Sequence, residues 1–384
     1  MVFAAFLRTV AYFASKTAAV IMLDNWLQPL PDIDLPAGEE QLGRRISIYR
    51  QALPALAPGT LAIIGLGAED ANAIRRAFYP LSFPFEGLQM ADLGNARRTE
   101  HAFLIPLIKE LLDSQVLPIL IGNAPHQALA QYKAFQELQY LINLVAVEER
   151  IAYRPQTEDT ARYYLTEVLE SRHSRLFHLN FLGLQGHFVP PALFDYLDER
   201  HFDYTRLGQA RSDIAELEPS IRDGDLLSFH LAAIRHSAAP GQAAPSPNGF
   251  TADEACQICR YAGMSDKLKA FGLYGFRQKW DQRGQTAQLA AQMLWYFVEG
   301  FHSRWGDFPA SMEGLVEYIV DYKALEYQLT FWRSERSNRW WMQVPVDTGH
   351  SYQRHRLVPC SYNDYLQACK DELPERLTRA LARF

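Results

Sequence analysis

The chain has 384 residues, 48% hydrophobic and 21% charged, a composition typical of a soluble globular protein with a well-buried core. Its formal net charge of -6 argues against the clustered basic surface that sequence-independent nucleic-acid binding requires, so we expect no nucleic-acid partner. Four cysteines are too few to cross-link a chain of this length, which favours reduced thiols and a cytoplasmic location.

The first 21 residues contain no acidic side chain and are rich in Ala and Phe. Arg8 and Lys16 interrupt their apolar runs before the ~20 residues that a membrane span needs, and no cleavage signature follows. We interpret residues 1–21 as an extension from an upstream start codon or as a loosely held amphipathic segment, and expect the folded domain to begin at Met22. Membrane contact is the less favoured alternative.

Short apolar runs alternate with helical patterns along the next part of the chain. A helix is predicted from about Glu39 to Leu53, ended by Pro54. Further predicted helices span 71–78, 99–115, the segment after Pro125, and 286–301. The predicted strands span 61–65, 116–122, 141–147, 176–182, 226–231 and 268–276. This alternation predicts a parallel sheet covered by helices on both faces.

Cys256 and Cys259 form a CxxC pattern inside a predicted helix. A zinc site or a redox motif would need this pattern at a turn or at a strand-to-helix junction. The i,i+3 spacing instead places both thiols on one apolar helix face, which favours packing in the core.

Two aromatic runs, 327–332 and 339–345, flank the charged segment 333–338 and predict a β-hairpin. Its interleaved basic and aromatic residues are also compatible with stacking on RNA. We favour a hairpin at a sheet edge with its aromatic side chains packed inward.

The segment from Asp225 to Gly241 contains the run Ser228-Phe-His-Leu-Ala232 and is followed by a helix start at Asn248-Gly-Phe-Thr251. It resembles the Ser-x-Asp-x-Asp-x-x-Asp-Pro strand of the arginase and agmatinase (ureohydrolase) superfamily. The resemblance runs in order from Met22 to about Phe301. Beyond that point the tail is more similar to bacterial arginase-like proteins often labelled formimidoylglutamases than to arginase proper.

This resemblance implies an arginase/deacetylase-like fold, a three-layer α-β-α sandwich around a parallel sheet of about eight strands. We expect residues 22–310 to form the ureohydrolase-like domain. Residues 311–384 are then a β-hairpin and helical tail packed on that domain.

Enzymes of this superfamily hold two divalent cations, manganese in the conventional case, with six side chains that neutralise and bridge the metals. Where the family pattern has the first His, this chain has Pro125, with His126 one residue late. The other five family positions hold Val145, Val147, Glu149, His230 and Ala232. Only Glu149 and His230, with His126 if it reaches, retain a side chain able to coordinate a metal.

The substrate-binding Glu of the family is also replaced. At its position, after the strand at 268–276, stands Gly275, and Arg277 follows two residues later. The resemblance therefore implies that a cationic guanidinium substrate would be repelled here.

We expect a catalytically inactive ureohydrolase-like protein without a metal cofactor, which binds a ligand or assembles with a partner. One alternative is a two-manganese amidine hydrolase of formimidoylglutamase type. Another is a rebuilt hydrolase with a single zinc or nickel ion on His126, Glu149 and His230.

The surviving pocket is predicted to favour a small anionic or zwitterionic ligand, with protonated histidines adding positive charge. The resemblance implies a homo-oligomer, with Trp332, Trp340 and Trp341 as a candidate assembly surface. The expected lining of the pocket is Asn123, His126, Glu148, Glu149, His230, Arg235, His236, Gly275 and Arg277.

Overall fold

The structure is a computed structural model that describes residues 23–31, 33–36, 38–322, 327–344 and 357–383. The predicted extension, residues 1–21, lies outside the described residues. The strands are β1 (Leu27–Gln28), β2 (Ser47–Ile48), β3 (Leu61–Leu66), β4 (Met90–Ala96), β5 (Leu117–Gly122), β6 (Ile142–Val147), β7 (Leu176–Leu184), β8 (Asp203–Arg206), β9 (Leu226–His230), β10 (Ala270–Tyr274), β11 (Leu315–Tyr322), β12 (Tyr327–Ser334), β13 (Trp340–Gln343) and β14 (Leu357–Cys360).

The α-helices lie mainly between these strands. They are α1 (Leu42–Arg45), α2 (Ala68–Phe78), α3 (His101–Asp113), α4 (Ala128–Glu137), α5 (Leu165–Leu169), α6 (Pro191–Glu199), α7 (Leu207–Ser212), α8 (Glu218–Arg222), α9 (Ala252–Met264), α10 (Gln285–His302), α11 (Tyr362–Cys369) and α12 (Glu375–Arg383).

The first ten strands form one sheet in the order β1-β4-β3-β5-β10-β9-β6-β7-β8, with β2 also paired to β4. β1 is antiparallel to β4, and the other pairs are parallel. Every residue of β3, β4, β5, β6 and β10 is buried, as expected for parallel strands covered on both faces. One hydrophobic cluster packs the sheet against α2, α9 and α10, and a second packs it against α3 and α4. The predicted three-layer α/β fold is confirmed.

The predicted helix from Glu39 to Leu53 is wrong. Only Leu42–Arg45 is helical, after which β2 pairs in parallel with β4. The Tyr49 backbone N–H continues this pairing by donating to the Asp92 carbonyl at 2.8 Å. The neighbouring strand therefore supplies backbone partners that override the local helical pattern.

Strand β4 was missed because polar residues interrupt its sequence. Asp92 is fully buried and accepts hydrogen bonds from Arg75 Nε and Nη2, both at 2.8 Å, and from the Tyr79 hydroxyl at 3.0 Å. Arg75 Nη1 also donates to Asn95 at 2.7 Å. A buried ion pair with this many partners allows charged residues inside a central strand.

The C-terminal region forms a separate antiparallel sheet in the order β11-β12-β13-β14. The predicted hairpin is confirmed by β12 and β13, in which Phe331 is paired with Met342. Its predicted place at a sheet edge is wrong, because β11 and β14 pair with its outer sides. Trp340 and Trp341 are 7% and 1% exposed, so their predicted inward packing is confirmed and they are unavailable as a surface for assembly. Trp332 is half-buried.

Cys256 and Cys259 are both buried in α9, whose start is fixed by a capping box between Thr251 and Glu254. Burial raises the pKa of Cys256 to about 12, so it remains a thiol at neutral pH. The prediction of core packing is confirmed.

Within the described ranges, no helix combines the length and the hydrophobicity that a membrane crossing needs.

Gly263 lies where α9 and α10 cross closely. A Cβ atom at this position would lie 2.1 Å from the Phe297 carbonyl oxygen. We expect Gly263→Ala to lower the free energy of unfolding by about 1–3 kcal/mol because the helices must move apart, although alanine is the better helix former. Chemical denaturation measures the change. The control is Gly208→Ala in α7, where a Cβ meets no atom within 4 Å. Equal effects of both substitutions would contradict this account of the crossing.

Candidate functional site

The candidate site lies at the carboxyl ends of β5, β6, β9 and β10, the edge of a parallel sheet where α/β proteins bind ligands. Asn123 and His126 follow β5, Glu148 and Glu149 follow β6, His230 ends β9, and Gly275 and Arg277 follow β10. The fold therefore brings these sequence-predicted segments to one edge. Their side chains nevertheless fall into separate groups.

Four of the six positions at which the sequence resemblance predicts metal ligands hold hydrocarbon side chains. Val145 and Val147 are 1% and 0% exposed and pack in the same hydrophobic cluster as Phe229. Ala232 is buried in a short 3-10 turn, and Pro125 begins another. These side chains offer no donor atom to a cation, and Val145, Val147 and Ala232 are buried, whereas Pro125 is half-buried.

Glu149 retains a carboxylate, but one of its oxygens already accepts hydrogen bonds from Arg150. Arg150 Nε donates to Glu149 Oε1 at 2.8 Å, and the Arg150 Nη2 group also contacts this oxygen. Glu149 is 2% exposed, and its Oε2 atom has no hydrogen-bond partner among the described residues. Burial raises the pKa of Glu149, while Arg150 and then His187 oppose this shift.

Glu148 points to the opposite face of the sheet. Its Oε1 atom accepts a hydrogen bond from the Tyr164 hydroxyl, and Tyr164 belongs to the second hydrophobic cluster, under α3 and α4. Burial raises the pKa of Glu148 to about 7. Glu148 is therefore placed away from the face that carries Val145 and Val147, although sequence reasoning included it in the pocket.

His230 and Gly275 occupy complementary volumes. Gly275 has φ +95°, and a Cβ atom built on it would lie 2.6 Å from His230 Nε2. Burial, helped by the positive charge of Arg150, lowers the pKa of His230 to about 4, so its imidazole is neutral at neutral pH. The imidazole of His230 thus occupies space that any side chain at position 275 would need.

A second polar group surrounds Asp70, which sequence reasoning missed. Asp70 Oδ2 accepts from Asn123 Nδ2 at 3.0 Å and lies 4.0 Å from Arg277 Nη1. Asp70 Oδ1 accepts from the Gln278 backbone N–H at 2.8 Å. Only the acidic character of the first turn of α2 marks Asp70 in the sequence, and that feature is common at helix starts.

His126 is half-buried beside this group. Its carbonyl oxygen lies 3.0 Å from His101 Nε2, a second residue that the sequence did not single out. Burial lowers the pKa of His126, with smaller contributions from the positive charges of His101 and Arg277. The predicted protonated histidines are therefore wrong for both His126 and His230, because burial favours the neutral imidazole.

Arg235 and His236 form the remaining group. Arg235 is half-buried, and its Nε atom has no hydrogen-bond partner among the described residues. His236 is exposed, and its backbone N–H donates to the Ser246 carbonyl at 2.7 Å.

The donor set does not fit paired manganese ions. In the described part of the chain, no three His, Cys, Asp or Glu side chains lie close enough together to hold a metal ion. His126, Glu149 and His230 thus do not converge in this arrangement, and the single-ion alternative lacks its three ligands. The remaining chemistry of this edge is that of guanidinium groups, the carboxylates of Glu149 and Asp70, each beside an arginine, and neutral imidazoles.

The fold is a three-layer α/β sandwich with its candidate site at the carboxyl edge of the main sheet. A sequence model described as the Arginase family matches residues 182–299. Formimidoylglutamase of Staphylococcus carnosus (strain TM300) is 24% identical over 253 residues, which cover 61% of this chain and 80% of the relative. The chain is thus similar in sequence to members of the arginase (ureohydrolase) superfamily.

Two solved structures share the fold. Trypanosoma cruzi formiminoglutamase with Mn2+ superposes with a TM-score of 0.58 at 19% identity, covering 64% of this chain and 94% of that one. Formimidoylglutamase of Bacillus subtilis subsp. subtilis str. 168 gives a TM-score of 0.57 at 18% identity, covering 65% and 89%. At this level of identity the likeness concerns the fold alone.

Glu148 is expected to make stability fall as pH rises. Its pKa of about 7 lies above the ordinary 4.5, so the folded state holds an extra proton between these values. The stabilisation is full below about pH 4.5 and is lost as pH rises through 7. Between about pH 4 and pH 8, Glu148→Gln should therefore gain up to about 3 kcal/mol relative to the parent protein. Denaturation at both pH values tests this, with the exposed Glu158→Gln as control; parallel profiles for parent and Glu148→Gln would refute it.

Gly275→Ala is expected to lower the free energy of unfolding by about 2–5 kcal/mol, because backbone strain adds to the collision with His230. Gly59→Ala is the matched control, since Gly59 has φ +85° and no atom within 4 Å of its Cβ position. The double variant Gly275→Ala/His230→Ala should recover the steric part of the loss. A double-mutant cycle with no coupling between the two positions would show that their volumes are independent.

Proposed function

We propose that this protein is a non-catalytic member of the arginase superfamily that binds a small anionic or zwitterionic ligand at the carboxyl edge of its sheet. The observation that carries the proposal is the packing of Val145, Val147 and Ala232 as buried hydrocarbon at family metal positions. Paired dications require several carboxylates to offset their mutual repulsion. Glu149 alone, already paired with Arg150, cannot supply that charge.

The charges at this edge support the ligand class. Arg150, Arg235 and Arg277 are cationic, whereas burial lowers the pKa of His126 and His230 and keeps both imidazoles neutral. A carboxylate would find guanidinium donors here, and Arg277 would repel a guanidinium substrate. The partnerless Glu149 Oε2 atom offers an acceptor for an ammonium group, which favours a zwitterion over a simple anion.

The alternative is an amidine hydrolase of formimidoylglutamase type, which uses two manganese ions. It is supported by the names of the similar proteins and by the shared fold. A rebuilt hydrolase with one zinc or nickel ion is a further alternative, and would require His126, Glu149 and His230 to move together.

Metal analysis combined with an activity assay separates these possibilities. We expect protein purified with manganese, zinc and nickel supplied in turn to carry no stoichiometric metal and to leave a formimidoyl amino acid unhydrolysed. Two metals per chain with turnover would establish the hydrolase and overturn the proposal. One metal per chain with turnover would establish the rebuilt site.

A comparison of anionic and cationic ligands tests the proposal that the protein binds a small anion or zwitterion. Thermal unfolding with glutamate and glutarate should show stabilisation, whereas agmatine and arginine should give none. Arg277→Gln should weaken carboxylate binding by roughly tenfold or more, because a charged hydrogen bond is lost. The exposed Arg172→Gln is the control. A preference for the cationic compounds would contradict the proposed ligand class.

Homo-oligomerisation and a cytoplasmic location stay predictions. Since Trp340 and Trp341 are buried, any assembly surface must be built from other residues. Sedimentation of the purified protein measures the state of assembly.

A further inference from the structure

A small cavity lies far from the candidate site, between the amino ends of the parallel strands and the antiparallel sheet. Its volume is about 30 Å³, enough for one water molecule or one monatomic ion. Asp223 and Lys267, which precede β9 and β10, line one side, and Trp341 of β13 lines the other. The cavity therefore lies at the contact between the two sheets.

Two buried arginines leave hydrogen-bond donors unused in the lining of this cavity. Arg222 is 3% exposed at its side chain, and its Nη1 atom has no partner among the described residues. Arg383 is 8% exposed at its side chain, and its Nε atom likewise has none. A buried N–H without an acceptor costs about 1–3 kcal/mol, and more when the group is charged.

The remaining nitrogens of both arginines are already held. Arg222 Nε donates to Glu218 Oε1 at 2.8 Å, and Nη2 donates to the carbonyls of Trp340 and Cys360 at 3.0 and 3.3 Å. The Arg222 guanidinium also lies 4.4 Å from the centre of the Trp341 ring. Arg383 Nη2 pairs with Asp203, and Arg383 Nη1 lies 4.0 Å from Asp223 Oδ2. Neither guanidinium can turn to satisfy its free donor without breaking these contacts.

The unused donors of the lining favour an occupant that accepts hydrogen bonds. The lining contains three cationic side chains, Arg222, Lys267 and Arg383, and one carboxylate, Asp223, while Glu218 and Asp203 pair with the two arginines from outside the lining. The Asp223 carboxylate is already engaged, because Lys267 Nζ lies 2.7 Å from its Oδ1 atom. We propose that the cavity binds a monatomic anion such as chloride, which accepts from Arg222 Nη1 and Arg383 Nε.

The anion would link three parts of the chain. Arg222 ends α8 beneath the parallel sheet, Arg383 ends α12, and Trp341 belongs to the antiparallel sheet. Binding would therefore strengthen the attachment of the C-terminal sheet and helix to the main sheet.

Thermal unfolding at constant ionic strength tests the proposal in the full chain. We expect sodium chloride and sodium bromide to raise the unfolding midpoint by about 1–3 °C over sodium gluconate. Arg383→Lys, which keeps the charge beside Asp203 but removes Nε, should abolish this difference. Arg379→Lys is the matched control on the same helix, since Arg379 pairs with Asp203 and Glu375 outside the cavity, and it should keep the difference.

Crystals grown in bromide provide the direct observation. An anomalous peak between Arg222 and Arg383 would support the proposal, and its loss in Arg383→Lys would tie the peak to the Nε donor. Water alone in the cavity, or a chloride effect that persists in Arg383→Lys, would overturn it. These outcomes are independent of the metal content and ligand preference of the carboxyl edge.

Discussion

Electrostatic neutralisation is the constraint on which the carboxyl edge depends. Two dications side by side are stable in a protein only where carboxylates and imidazoles surround them. The positions at which the resemblance predicts metal ligands include Val145, Val147 and Ala232. These buried hydrocarbon side chains need no compensating charge. The sheet thus keeps its stability through hydrophobic burial at the positions where the superfamily's enzymes use metal coordination.

The replacements are physically connected through Arg150. This arginine neutralises Glu149, and its positive charge also helps to lower the pKa of His230. His230 in turn requires a residue without a side chain at Gly275. A carboxylate at position 275 would have to displace the imidazole of His230, and a metal bound through both oxygens of Glu149 would have to displace Arg150. The side chains of this edge are therefore mutually dependent in space and in charge.

The sequence predicts most of the architecture because the parallel strands are continuous apolar runs. The runs at β3, β5 and β6 match their predicted positions closely, as does the long helix α10. Prediction fails where contacts with distant parts of the chain override the local sequence pattern. β4 carries Asp92 because Arg75 approaches it from α2, and the helix predicted over residues 39–53 gives way to pairing with β4.

The place of the candidate site can be predicted from the sequence, but the arrangement of its side chains cannot. Strand ends place the candidate residues at one edge, but side-chain direction decides which of them share a face. Glu148 and Glu149 are adjacent in sequence, yet the strand geometry sends Glu148 toward Tyr164. Asp70 joins Asn123 and Arg277 only through the arrangement of β3, β5 and β10, so no sequence pattern marks it.

Both ends of the sheet contain buried polar atoms that lack a hydrogen-bond partner among the described residues, but the atoms differ in kind. At the carboxyl end, Glu149 Oε2 lacks a donor, whereas at the amino end Arg222 Nη1 and Arg383 Nε lack an acceptor. In each case the nearest side chains are already committed to other partners, so the deficit is not removed by rotation. A buried group with an unmet partner is destabilising unless a ligand supplies it. The carboxyl edge leaves one acceptor, Glu149 Oε2, and one donor, Arg235 Nε, without partners among the described residues, whereas the cavity at the amino end leaves two donors. The two ends therefore call for different ligands, and binding at one end gives no information about binding at the other.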